Sequence, residues 1–450
     1  MSRSGARDGR PDVVVSGLGI VSPYGAGVKS FWTGLAAGTC AIRPITIIDT
    51  EGFRSRIAAE IPAEVMSTLG SSRRRSRADR IALAAAREAL ADAGLAGRAR
   101  AEAALLIGAV GGGMLEGEDW YWEEARGRAS SGMRALRSIL PFSHAETLGW
   151  RLGLTGPKET MVMACASGAA SIALGADLIR AGVTPTAVVG GVDALTHICF
   201  MGFNALKLLD PTPCRPFDRD RRGMSIGEAA AFFVIEDAEH CRARGGRAHA
   251  RLAGYGMTTD AHHVTAPHPE GEGMIHAMRQ ALADARLAAG DVGYVNAHGT
   301  GTPQNDRAEA LALRRVFGDG GVLVSSTKSL VGHTMAAAGS VEAAATILAL
   351  QHGLLPPTAN LDQVDPEVPF DCLPGTARPA EVAAGLSNSF GFGGQNVSLV
   401  FEKCEAHVQG EVQPKASRQW QGEVQPKASR QWQGEVQPKA SRANTKEAPP

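Results

Sequence analysis

An internal repeat constrains the fold of this chain more than any other feature. REALADAGL (87–95) and RQALADARL (279–287) are near-copies, and each runs into an apolar strand, LLIGAV (105–110) and YVNAHG (294–299). The echo continues in the same order. The turn and small-residue helix around Cys165 are matched by SSTKSLVGHTMAAAGSVEAAATILAL (325–350), where His333 opens the helix, and FFVIE (232–236) by LVFE (399–402). Self-similarity in fixed order marks one supersecondary unit used twice. Strands alternate with helices in each copy, which predicts parallel-rich sheets covered by helices and a functional site where the copies face each other.

Within the first copy, MVMACASGAASIALGADLIRAG (161–182) is a short apolar run, a sharp turn at Cys165 and a helix of small residues. A helix opening near Ala166 sets the thiol against unpaired N–H groups and the positive end of the helix dipole. That setting lowers a thiol's pKa and makes a nucleophile. A free cysteine is often an inert core residue, so the stretch needs support from elsewhere. NAHGTGTPQNDRAEA (296–310) places His298 at a strand end, before a loop that presents Thr300 and Thr302. STKSLVGHTMAAAG (326–339) brings Lys328 and His333 to a turn, and NSFGFGGQN (388–396) is a glycine-dense loop whose large residues are Phe390 and Phe392. Each segment has an ordinary structural reading; beside a helix-capping cysteine they describe a catalytic set.

Composition narrows the class. With 46 basic and 46 acidic side chains the formal charge is zero, which argues against a whole-chain role on nucleic acid or a membrane surface. No apolar window approaches the ~18 residues of a membrane span, and MSRSGARDGRPD lacks a signal core, so a cytoplasmic protein is expected. Seven cysteines without CxxC spacing indicate neither a disulfide framework nor a zinc site. GLGIVSP (17–23) is not a dinucleotide-binding fingerprint. SSRRRSRADR (71–80) precedes an alanine-rich helix (81–93) and reads either as a solvated helix end or as a docking patch for an acidic partner. Residues 114–145 hold Trp120, Tyr121 and Trp122 among charges without a clean period, as a cover over a tunnel or partner or as a surface insertion. GEVQPKASRQWQ starts at Gly410 and again at Gly422, with a truncated copy at Gly434. A polar repeat cannot build a core, so this tail is expected to be disordered or an artefact of expression. The division expected is a disordered leader 1–11, an N-terminal half 12–246 carrying the cysteine, a C-terminal half 247–405 carrying both histidines, and the tail 406–450.

ACASG (164–168), RPFDRDRRG (215–223), NAHGTGTP (296–303), KSLVGH (328–333) and NSFGFGG (388–394) resemble, in this order, the motifs of the elongating β-ketoacyl-acyl-carrier-protein synthases. The resemblance runs from about residue 12 to 404, and its Cys-His-His pattern separates it from thiolases and from initiating synthases. It implies an α/β, duplicated thiolase-like fold, a five-layer αβαβα sandwich, normally a homodimer. It also implies that Cys165 takes an acyl group from a carrier thioester and that the N–H groups of Cys165 and Phe392 form an oxyanion hole, with Phe392 gating the acyl pocket. His298 and His333 are expected to donate through Nε2 to malonyl thioester as it loses CO₂. Thr300 and Thr302 are expected to bond the phosphopantetheine arm, and Lys328 to pair with Glu309 and orient His333. No metal or redox cofactor is required by this chemistry; some relatives hold a structural monovalent cation with residues matching Asn296, Glu342, Ser387 and Asn388. Acyl carrier proteins are acidic, so Arg73, Arg74, Arg75 and Arg77 become an expected docking patch.

The chain also departs from the pattern. Met163 stands where the family usually has a hydroxyl residue, Gly227-Glu228-Ala229-Ala230 carries Ala where a second glycine is common, and 112–140 do not follow the housekeeping enzymes. These departures point to a specialised pathway such as a polyketide or polyene. Three alternatives stay open: the active subunit of a heterodimer with a non-catalytic chain-length partner, a hydrolase or acyltransferase using the same cysteine, and a non-catalytic partner itself. Retention of both histidines argues against the second, and retention of Cys165 against the third.

Overall fold

The computed structural model describes residues 10–70, 75–128 and 135–404. The first half contributes strands β1 (Val13–Ser22), β2 (Ala104–Gly108), β3 (Lys158–Met161), β4 (Thr186–Asp193) and β5 (Ala229–Asp237). The second contributes β6 (Ala250–Thr259), β7 (Tyr294–Asn296), β8 (Leu323–Ser325), β9 (Ala384–Gly391) and β10 (Gln395–Lys403). They hydrogen-bond in the order β8-β7-β9-β10-β6-β1-β5-β4-β2-β3. Outward from the β6–β1 seam, both halves set their strands in one order, as the repeat requires. The seam itself is short, Val13–Val15 running antiparallel to Ala250–Leu252.

In each half the outer pairings are parallel and the inner ones antiparallel. The expected parallel-rich sheets are therefore parallel only at their outer strands. β9 turns straight back into β10 through Phe392–Gly394, and so short a turn joins only antiparallel strands.

Six helices complete the layers: α1 (Arg77–Asp92), α2 (Phe142–Leu152), α3 (Ser167–Arg180), α4 (Glu272–Ala285), α5 (Pro303–Phe317) and α6 (Ala338–His352). α1 and α2 cover the outer face of the first half, α4 and α5 that of the second, and α3 and α6 lie together between the sheets. This is the five-layer αβαβα sandwich. The central helices are small-residue helices because they are enclosed: in α6 every residue from Ala338 to Leu350 is buried. Where the two cross there is no room for a side chain. A Cβ on Gly168 would lie 2.8 Å from Ala336 O, and one on Gly339 would lie 2.7 Å from Ala169 Cβ.

The leader through residue 9 and the tail from 405 lie outside the described residues. Among the described residues no helix is long and apolar enough to cross a membrane, and all seven cysteines are free thiols.

Candidate active site

α3 and α6 open with the same device. Ala164–Ala166 and Met335–Ala337 are single 3-10 turns. Each is led by a left-handed residue, Ala164 at φ 46° and Met335 at φ 54°. Each is closed by a 3.0 Å bond, from Ala166 N–H to Met163 O and from Ala337 N–H to Thr334 O. Left-handed backbone costs a side-chain-bearing residue roughly 1–3 kcal/mol, so surrounding contacts hold both turns. The counterpart of Cys165 in the second half is therefore Ala336, three residues beyond the expected match at His333.

Cys165 lines a cavity with His298, His333, Phe390, Phe392, Thr300 and Thr302. Segments far apart in sequence thus converge on one sulfur. Burial pushes the thiol up to about 11, only partly countered by Lys328 and by the Phe392 N–H, which donates to the sulfur. The thiol is thus raised where the helix end led to an expected lowering, with desolvation the largest cause. Phe392 is half-buried and packs against Phe203, centroids 6.0 Å apart.

The two imidazoles stand edge to face with centroids 5.4 Å apart. Both are pushed well below the usual imidazole range, first by burial and then by Lys328, so both are neutral. Their Nδ1 atoms are spoken for. His298 Nδ1 accepts from Lys328 Nζ at 3.2 Å, and His333 Nδ1 accepts from the Met335 N–H at 3.2 Å. A neutral ring accepting at Nδ1 carries its proton on Nε2. The main chain of His333 is locked as well, by Ser225 O (2.7 Å) and the Gly227 N–H (2.9 Å).

Against the expectation, Lys328 neither pairs with Glu309 nor orients His333. It is 1 % exposed, pairs with Glu342 and holds the ring of His298. Glu309 instead accepts the N–H groups of His298 (2.8 Å) and Gly299 (2.7 Å), fixing the backbone beneath that ring. Burial raises both carboxyls to about 7. Thr300 and Thr302 share a 2.9 Å hydroxyl–hydroxyl bond at the cavity wall.

Asn296 and Ser387 are register partners on β7 and β9, Asn388 follows, and the Glu342 backbone O accepts from Asn296 Nδ2 at 3.5 Å. Glu342 Oε2 is buried with no hydrogen-bond partner. An all-oxygen donor set with one unspent carboxylate oxygen fits a hard cation. Among the described residues no cluster of three or more His, Cys, Asp or Glu could hold a metal ion.

The arginine run divides. Arg73 and Arg74 lie outside the described residues, and Arg75 is partly buried. Arg77 is not a docking residue. Ser76 caps α1 through a capping box with Asp79, so Arg77 is the first helical residue. Its guanidinium is spent on buried Glu228, with Nε to Oε2 at 2.7 Å. The stretch beginning at 114 is in part a helix, Met114–Ala125, with Tyr121 63 % and Trp122 50 % exposed.

The motif reading missed Asp193 and Phe203, and it gave Glu342 only a cation-holding part, not its pairing with Lys328. Glu342 is the one charged residue between Val331 and Leu350, and Asp193 the one in TAVVGGVDAL (186–195). A lone acid in an apolar element signals a buried partner. Phe203 carried no such signal.

Comparison with known proteins gives this geometry its family. The description "Beta-ketoacyl synthase, N-terminal domain" matches residues 10–240, and "Beta-ketoacyl synthase, C-terminal domain" matches residues 249–362. The 3-oxoacyl-[acyl-carrier-protein] synthase 2 of Staphylococcus aureus (strain COL) is 37% identical over 410 residues, covering 88% of this chain and 99% of that protein. The tetracenomycin polyketide synthase ketoacyl synthase alpha subunit of Streptomyces glaucescens is 37% identical over 412 residues, covering 87% and 97%. A solved ishigamide ketosynthase/chain length factor is 35% identical with TM-score 0.84, covering 88% of this chain and all of that one. With both domains matched and relatives this similar over nearly their whole length, the chain belongs to the β-ketoacyl synthase family of acyl-transferring condensing enzymes.

Proposed function

We propose that Cys165 carries an acyl group which this enzyme condenses with malonyl-acyl carrier protein, releasing CO₂ and leaving β-ketoacyl-acyl carrier protein. The observation that carries the roles is the occupancy of both Nδ1 atoms, which leaves two Nε2–H donors on rings lining the cavity of Cys165.

The sulfur first attacks the carrier thioester carbonyl; its S–H proton leaves with the carrier thiol, and the acyl–sulfur bond moves to Cys165. The oxyanion of that addition sits against the N–H groups of Cys165 and Phe392. Malonyl thioester then enters past Thr300 and Thr302, whose hydroxyls suit the amide-rich phosphopantetheine arm. As the carboxylate leaves as CO₂, its bonding pair passes into the thioester, and the growing charge on oxygen is met by the two Nε2–H groups. Neutral donors suit this step, because each stabilises the charge and keeps its proton. The enolate carbon attacks the acyl-cysteine carbonyl, the carbon–sulfur bond breaks, and the thiolate takes a proton to reset the site. Lys328 and Glu309 act by holding His298. Asn296, Glu342, Ser387 and Asn388 would hold a monovalent cation behind that pair, supplying fixed charge to the structure.

The exposed rings of Tyr121 and Trp122, with Phe142 58 % and Val162 60 % exposed, point to assembly with a second subunit, a copy of this chain or a chain-length partner. Arg73, Arg74 and Arg75 stay in the proposal as carrier contacts, without Arg77, and the cytoplasm as its place. Incubation with acyl carrier thioester and malonyl carrier is expected to yield carrier bearing a β-ketoacyl chain two carbons longer. Release of the acyl group as free acid would make the protein a hydrolase instead.

A further inference from the structure

Asp193 ends β4 and is 1 % exposed, yet the reaction above gives it no part. Its Oδ1 accepts the N–H groups of Gly111 (2.7 Å) and Gly112 (3.2 Å), and its Oδ2 accepts the N–H of Ala336 (2.9 Å). Ala336 occupies, in the second half, the place that Cys165 occupies in the first. In the first half the N–H at that place is assigned to a transient oxyanion. In the second half the same N–H already has an anion, and the chain supplies it. The three elements meet tightly there: a Cβ on Gly191 would lie 2.9 Å from Ala336 O and 3.1 Å from Gly168 Cα.

We propose that the second half keeps an anion hole of its own, that the Asp193 carboxylate is its resident anion, and that Asp193 is thereby the positioning residue of His333. The coupling is short. Holding the Ala336 N–H helps keep Met335 in its left-handed conformation, and the Met335 N–H is the donor to His333 Nδ1. With that donor in place the ring proton stays on Nε2, facing the malonyl group. Without it the turn can relax and His333 can take the other tautomer, leaving decarboxylation short of a donor while acylation of Cys165 proceeds. This inference rests on the decarboxylative reading and adds to it a residue that touches no substrate.

The test is Asp193→Asn in the full chain, with the two partial reactions measured separately. An amide keeps the size but has one acceptor oxygen, so either Ala336 or the Gly111–Gly112 turn meets an N–H group. Acylation of Cys165 by acyl carrier thioester is expected to stay within about threefold of wild type. Decarboxylation of malonyl carrier is expected to fall roughly a hundredfold, the scale of a misplaced catalytic group. In ¹⁵N-histidine spectra the His333 signal should move from the pure Nε2–H form toward mixed tautomers. Equal losses in both reactions would reduce Asp193 to a structural residue, and no loss in either would remove it from the mechanism. Should the Asn variant fail to fold, Asp193→Glu keeps both oxygens on a longer arm: a loss confined to decarboxylation supports the proposal, and equal losses overturn it. Wild-type protein that acylates but never decarboxylates malonyl carrier would refute the reaction itself, a failure visible before any variant is made.

Discussion

The two halves of this molecule share a strand order, a helix set and a left-handed turn, yet only one turn carries a reactive atom. In the first, the turn presents Cys165 to a cavity shared with both imidazoles. In the second, the matching residue is Ala336, and its N–H is taken by the Asp193 carboxylate. Duplication therefore supplied two similar backbone cradles, and side chains assigned them different work. The first half keeps a nucleophile; the second keeps a framework that aims His333.

The largest expected effect tests that asymmetry. Cys165→Ala should abolish the acyl adduct and lower condensation by roughly a thousandfold or more. Adding Ala336→Cys should restore nothing, because Asp193 stands at that turn; an adduct on the new cysteine would show the halves to be interchangeable. Next is Lys328→Ala, which leaves Glu342 buried without its cation. Breaking such a pair costs about 3–5 kcal/mol, to be read as a lower melting temperature. The sign with pH follows from the raised carboxyl, about 7 in the intact pair. Without Lys328, which holds it down, the carboxyl of the variant lies higher still. The loss is therefore full where Glu342 is charged in both proteins, shrinks as falling pH protonates the variant first, and levels off below about 7. A destabilisation that does not change with pH would contradict the pairing.

His298→Ala and His333→Ala should each slow malonyl decarboxylation about 10²–10³-fold while Cys165 still acylates, as the removal of one oxyanion donor does elsewhere. If acylation fell equally, the histidines would belong to the nucleophile rather than to the malonyl group. A smaller effect concerns the resting thiol. With its pKa raised to about 11, alkylation of Cys165 by iodoacetamide should keep climbing through pH 10, whereas an ordinary cysteine levels off above about 8.5. A plateau near neutrality would mean that the helix end prevails over burial after all. The smallest effect is expected from removing 406–450, which should leave melting temperature and condensation rate unchanged.

What was legible in the chain, and what was not, follows the same division. The duplication was readable because α1 and α4 carry nearly the same residues at their ends and FFVIE and LVFE mark matching strands. The motifs resembling a known family located Cys165, His298 and His333, since each sits at an element boundary where spacing along the chain is informative. Pairings across the fold were not readable. Which of Glu309 and Glu342 meets Lys328 depends on how α5 and α6 lie beside β7, and no local pattern states that. Arg77 looked like surface because its neighbours are charged, while its partner Glu228 lies 151 residues away. The thiol was misjudged for a related reason: the helix dipole is a local property, whereas desolvation is set by everything packed around it.

The most direct measurement is intact-protein mass spectrometry of the enzyme mixed first with an acyl carrier thioester and then with malonyl carrier. The account predicts one acyl mass on the peptide holding Cys165, discharged by malonyl carrier as a β-ketoacyl product. An enzyme that shows no adduct at Cys165, or an adduct that malonyl carrier cannot discharge, would contradict it.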